Sequence, residues 1–329
     1  MPSPAIPSID SPVTPLPTPS ARAAMRLVLS STLFALMAAG TKLATHRLPG
    51  AEVALVRFVT GIVVVAIAVG AGRARVRPRR WGWLAMRGLF GGVAVVCYFA
   101  SIRLAPVGVA TLLNQTQPVF TMLFSWGLLA ERPRRGALGA LVLTVCGVTL
   151  IIGVRQLTLH AWRGELLGIA SAITSGVAVT SVRAARRAGA DGNPPETAWT
   201  VFLAFSIIGA LVSLPEAFVP NGSWVVPTRV EWGQLAAVAL ASVAAQLIMT
   251  EAIGHLTGVQ SGIISQLTVP TTVMLGIVFL GEHLTPSFLG GAALILAGVA
   301  FTILATAPRS RRLERSAPRP PTDETMLSP

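Results

Sequence analysis

Runs of about twenty apolar residues, separated by short clusters of Arg, Pro and Gly, follow one another along almost the whole chain. A hydrocarbon core about 30 Å thick takes roughly 20 helical residues to cross. Ten runs meet that length: 25–44, 51–71, 81–104, 107–129, 136–154, 165–184, 196–214, 232–253, 259–280 and 287–306. The junctions after Ala105 and Gly258 are close, and the Pro and Gly there predict turns rather than long continuous helices. The expected fold is all-α and membrane-integral, with ten transmembrane helices.

The chain also repeats itself at an offset of 151 residues. Trp81-Gly82 matches Trp232-Gly233, Leu84-Ala85 matches Leu235-Ala236, Gln115 matches Gln266, Glu131 matches Glu282 and Gly147 matches Gly298. Pro118 pairs with Pro270 one residue out of register. Five spans separate the copies, an odd number, so the second copy is expected upside down relative to the first. The domain reading is then two inverted five-helix repeats, residues 25–154 and 165–307. They are flanked by Pro- and Ser-rich tails, 1–24 and a basic 308–329, that lack the apolar residues to fold.

Composition supports the bilayer and charge orients the chain in it. Hydrophobic residues make up 53% of the sequence and charged residues 12%, with a mean hydropathy of +0.68, whereas soluble domains carry about 25% charged residues. A net charge of +13 would otherwise suggest nucleic acid, but the basic residues lie between apolar runs and not on a soluble face, so no nucleic-acid partner is expected. With the N-terminus inside, the inner segments hold eighteen arginines, including Arg73 to Arg80, Arg132 to Arg135 and Arg183 to Arg187, against five outside. Cytoplasmic loops retain Lys and Arg, so both termini are expected in the cytoplasm of a bacterial-type plasma membrane protein. Cys97 and Cys146 fall in separate apolar runs and are expected as buried, inert thiols. The four His residues lack metal-ligand spacing and no phosphate-binding loop carries its Lys, so neither metal, cofactor nor ATP is expected.

The segment PVFTMLFSWGLLAERPRRGALGALVLTVCGVTL, with its copy PTTVMLGIVFLGEHLTPSFLGGAALILAGVAFTIL, resembles the EamA-type members of the drug/metabolite transporter superfamily. Both copies show a mid-helix Pro, a Glu about a dozen residues on and then a Gly-spaced helix. Ala130 stands before Glu131 where Gly is usual, as in Gly281-Glu282. The resemblance implies ten helices, cytoplasmic termini and a substrate cavity between the halves.

Candidate site residues are the polar ones inside spans. Pro118 and Pro270 remove a backbone donor at mid-span and free the carbonyls of Asn114 and Gln266, giving a kink or gate in each half. Asn114, Gln115, Gln117 and Gln266 then form a polar layer, read as substrate-binding or as interhelical bonding. Lys42 and Arg57 are cations within spans, the latter roughly 9 Å deep by helical rise. Each is a substrate-binding candidate, against snorkelling for Lys42 and carbonyl bonding for Arg57. Arg57 would suit an anionic or zwitterionic solute. Arg87 and Glu131 read as a structural ion pair at helix ends, with Glu282 as the counterpart of Glu131. Glu251, four residues before His255, is the candidate for proton coupling. The resulting expectation is a secondary transporter, not an enzyme, moving a small organic metabolite by alternating access. Efflux of amino-acid-like or drug-like solutes stands first and uptake of a cofactor-like or anionic metabolite second, with a pore or an integral membrane enzyme as rival classes. Expected partners are the small-molecule substrate and membrane lipid, with a homodimer as the protein assembly left open.

Overall fold

The computed structural model describes residues 21–129, 139, 142–144, 146–147, 150, 162–186, 194–218, 224–253, 264–283 and 285–305. Every regular element among them is helical. In chain order these are α1 (Ala21–Ala44), α2 (Gly50–Gly70), α3 (Trp81–Leu104), α4 (Val107–Asn114), α5 (Gln117–Leu129), α6 (Arg163–Ala185), α7 (Ala198–Phe218), α8 (Arg229–Ile253), α9 (Thr268–Leu280) and α10 (Pro286–Ala305). Six of them (α1, α2, α3, α6, α7 and α8) are long and apolar enough to cross a bilayer unaided. The expected span 107–129 is divided into α4 and α5, and α9 and α10 are shorter apolar helices. Of the expected span 136–154 only isolated residues belong to the described set. The first span begins at Ala21, four residues earlier than the hydropathy pattern placed it.

Local chemistry explains several helix ends. Thr228 and Glu231 form a reciprocal capping box at the start of α8: the Glu231 carboxylate accepts from the Thr228 N–H at 2.7 Å, and the Thr228 hydroxyl accepts from the Glu231 N–H at 3.3 Å. Thr285 accepts from the Phe288 N–H at 3.2 Å, and Pro286 takes the first helical position of α10, where no N–H partner is needed. At the end of α9, Gly281 adopts φ +65°, and the Glu282 N–H turns back onto the Gly276 carbonyl at 3.0 Å. A side chain with a Cβ would strain that left-handed cap. The turn after Ala105 is present as the sequence predicts, between Leu104 and Val107.

Packing interleaves the two halves of the chain. α3 lies most extensively against α6 and α7, α1 against α8 and α9, α2 against α7 and α8, and α4 against α6 and α9. Small residues allow the closest crossings: a Cβ on Gly92 would stand 2.9 Å from the Gly209 Cα. Phe58, Phe99, Phe205 and Leu48 anchor the main apolar cluster, and the rings of Phe58 and Phe205 meet edge to face with centroids 5.2 Å apart. Outward positions are apolar as well, with Ile67, Leu211, Met274 and Phe279 all at least 60% exposed. Patches of that kind suit hydrocarbon and not water. Exposed Trp81 and Trp232 sit in the first turns of α3 and α8, where interfacial anchors belong. Cys97 is half-buried and Cys146 exposed, and neither is in a disulfide. The expectation of two buried thiols is thus corrected, since Cys97 is only half-buried and Cys146 is exposed.

Candidate functional site

The polar residues expected to act together divide into two groups. The first surrounds a break in the helical backbone. α4 ends at Asn114, Gln115 and Thr116 form a turn, and α5 starts at Gln117. Residues 151 positions on do the same: Gln266 and Leu267 form a turn and α9 starts at Thr268. The bonding matches as well, since the Thr116 N–H donates to the Leu113 carbonyl at 3.1 Å and the Leu267 N–H to the Ile264 carbonyl at 3.0 Å. Pro118 and Pro270 therefore do more than kink a continuous span. Each lies within the first three residues of a helix that restarts, where its missing N–H costs nothing. The Gln266 carbonyl, expected to be freed by Pro270, accepts from the Val269 N–H at 3.1 Å.

The side chains of this group tie helices together at the breaks. Gln115 donates from Nε2 to the Ser265 carbonyl at 3.1 Å, and Ser31 of α1 donates to the Ile264 carbonyl at 3.4 Å. Asn114 donates to the Ser171 hydroxyl at 2.7 Å, which donates in turn to the Ala94 carbonyl at 2.7 Å, linking α4, α6 and α3. Gln117 donates locally, to the Thr121 hydroxyl at 2.9 Å. Gln266 keeps a buried Oε1 without a hydrogen-bond partner among the described residues, an uncommon and costly state for an amide oxygen.

The second group surrounds Arg57. Its side chain is 6% exposed, although it lies inside an apolar helix. Nε donates to the Ser242 hydroxyl of α8, while Nη1 is buried without a partner among the described residues. The guanidinium stands 5.3 Å from the Phe58 ring centre and 5.4 Å from that of Phe205. A narrow cleft lies beside it, lined by Phe58, Phe202, Phe205, Ser206, Ser242 and Val243. It has no room for a water molecule, whereas sites for whole organic ligands span roughly 300–1,000 Å³, so the cleft is closed in this state. Arg87 of α3 joins the same ring from another helix, 4.2 Å from the Phe205 centre, and its Nε is also buried without a partner among the described residues. Glu131 and His255 lie outside the described residues, as does the Glu251 side chain.

Lys42 belongs to neither group. Its ammonium donates to the Ile102 and Ala105 carbonyls at 2.8 and 2.6 Å, completing the end of α3. Beside it, the Glu282 carboxylate accepts from the Val107 N–H at 2.5 Å and the Gly108 N–H at 3.4 Å, completing the start of α4. A cation on helix-terminal carbonyls and an anion on helix-initial N–H groups both suit the helix dipole. Glu282, expected as one member of an ion pair, thus bonds to backbone. Similar carboxylates escape sequence reasoning elsewhere. Glu196 accepts from the Arg79 and Arg80 N–H groups at 2.6 and 2.7 Å, ahead of α3, and Glu52 accepts from the Val225 N–H at 2.9 Å. No local signal marks these, because each partner lies more than 100 residues away. On the surface, Arg47 grips Glu231 with Nε at 2.8 Å, and that hydrogen bond raises the Arg47 guanidinium above its ordinary value.

Comparison with known proteins agrees with this architecture. The model of the EamA-like transporter family matches residues 22–153 and again 162–304. The pseudopaline exporter CntI of Pseudomonas aeruginosa is 27% identical over 229 residues, 69% of this chain and 77% of that protein. The uncharacterized transporter YwfM of Bacillus subtilis is 25% identical over 248 residues, 73% of this chain and 79% of that one. A solved crystal structure 24% identical in sequence superposes with a TM-score of 0.58 over 90% of this chain and 100% of its own, which bears on the fold alone. The protein is a multi-pass membrane transporter and not an enzyme. It belongs to the EamA-like transporter family.

Proposed function

We propose that the chain is a secondary transporter that exports a small organic metabolite by alternating access, built from ten spans arranged as two inverted five-helix repeats with both termini in the cytoplasm. One observation carries the reading: two helical interruptions, 151 residues apart, are bonded to each other through Gln115 and Ser265. Broken helices at membrane depth occur where protein or a wet cavity can satisfy the freed backbone. In inverted-repeat transporters such breaks lie beside the substrate path. Asn114, Gln115, Gln117 and Gln266 line that path in this reading, with Arg57 deeper along α2. The outward direction follows the exporter named among the relatives, and amino-acid-like or drug-like solutes are the class proposed.

Interleaved packing shapes the motion. α3, α1 and α2 of the first half each pack mainly on helices of the second, so opening moves groups of helices drawn from both halves. The test is solute counterflow in liposomes reconstituted with the full chain, using labelled aspartate and glutamate. Saturable flux with trans-stimulation is the expected result. Flux that neither saturates nor shows counterflow would establish a pore instead.

A further inference from the structure

Two cations, the buried Arg57 and the half-buried Arg87, share one aromatic ring in the helical interior, with no acidic partner among the described residues. The guanidinium carbons of Arg57 and Arg87 both lie within 5.4 Å of the Phe205 ring centre, from α2 and α3 respectively. Among the described residues, the charge close enough to act on Arg57 is that of Arg87, another cation. A ring face attracts a desolvated cation, but by less than burying the ion costs. The Phe58 and Phe205 rings therefore offset only part of the cost of two like charges. Unused donors remain on both sides, Nη1 of Arg57 and Nε of Arg87, and the Arg57 fork borders a cleft with the Ser206 and Ser242 side chains.

We propose that Arg57 and Arg87 together form a binding site for a solute carrying at least two negative charges, of the di- or tricarboxylate class. The inference rests on the reading that Arg57 lines the transport path. Each planar guanidinium matches a carboxylate with two parallel hydrogen bonds. Two of them held on one ring present a spaced pair of anion sites, which a solute with a single carboxylate fills only in half. The cleft is closed as it stands, so the solute enters when α2, α7 and α8 separate.

The experiment measures binding of labelled citrate and succinate, with alanine as the singly carboxylated control, to the full chain in phosphatidylcholine nanodiscs. Citrate and succinate are expected to bind and to raise the melting temperature, whereas alanine leaves it unchanged. Arg57→Gln and Arg87→Gln are each expected to weaken citrate binding on the order of tenfold, as loss of a charge-assisted hydrogen bond does. Arg57→Lys and Arg87→Lys keep the charge and supply folded variants should the Gln forms misfold. Wild-type citrate affinity in both Lys variants overturns the guanidinium site. Citrate binding that disappears in phosphatidylglycerol nanodiscs assigns the two cations to an anionic lipid headgroup and overturns the solute. Saturable counterflow of neutral solutes with no citrate or succinate binding overturns the site and leaves the transport reading standing. Citrate binding without flux of any solute does the reverse.

Discussion

The Gln115 side chain donates to the Ser265 backbone carbonyl across 3.1 Å, joining two helix breaks that lie 150 residues apart in the chain. Without that donor the half-buried carbonyl loses the bond that joins the two breaks. Gln115→Leu keeps the bulk and removes it, at an expected cost of about 0.5–1.5 kcal/mol for one hydrogen bond. Thermal unfolding in detergent is expected to show the loss, and counterflow to fall at least about tenfold as the breaks lose register. Wild-type flux in a folded Gln115→Leu protein would remove the junction from the mechanism.

At the α3–α4 corner, Glu282 takes two N–H groups while Lys42 takes two close carbonyls. Replacing a helix-capping acceptor typically costs about 1 kcal/mol. Glu282→Ala and Lys42→Met are each expected to lower the melting temperature. Because both act on one short turn, the double variant should lose less than the sum of the singles. Additive losses in a double-mutant cycle would show that the two caps act independently.

Two glycines of α3 differ in what surrounds them. A Cβ on Gly92 would meet the Gly209 backbone at 2.9 Å, while one on Gly82 meets nothing within 4 Å. Gly92→Ala is expected to destabilise by about 1–3 kcal/mol through overpacking of α3 on α7. Gly82→Ala should be neutral, or stabilising by up to about 1 kcal/mol from helix propensity. Comparison of the two melting curves checks the α3–α7 crossing directly.

Orientation is testable on a cysteine-free background. His46 and Arg73 are both exposed and flank opposite ends of α2. His46→Cys should react with a membrane-impermeant maleimide in intact cells, and Arg73→Cys only after permeabilisation. Labelling of both from the same side would overturn the proposed topology.

Much of this architecture is written in local pattern. Apolar run length places most of the helices, because in lipid a backbone satisfies its own polar groups only as a helix or a closed barrel. Pro118 and Pro270 announce the breaks, since a ring without an N–H belongs in the first turn of a helix and not in its middle. The Thr228 and Glu231 spacing marks the start of α8 for the same short-range reason. What the pattern misplaced was the severity of the breaks: the prolines suggested kinks, whereas the chain stops and restarts at Gln115 and again at Gln266.

Partnership, by contrast, was decided by tertiary structure. Residue type alone marks Lys42, Arg57 and Arg87 as expensive in a bilayer, without saying what receives them. Folding sets Lys42 on carbonyls 60 and 63 residues away, Glu282 on N–H groups 175 and 174 residues away, and Arg57 with Arg87 around Phe205. The physical reason is that helix formation depends on neighbours within about four positions along the chain. The partner of a buried charge depends on which helices cross, and that is set by packing of the whole bundle.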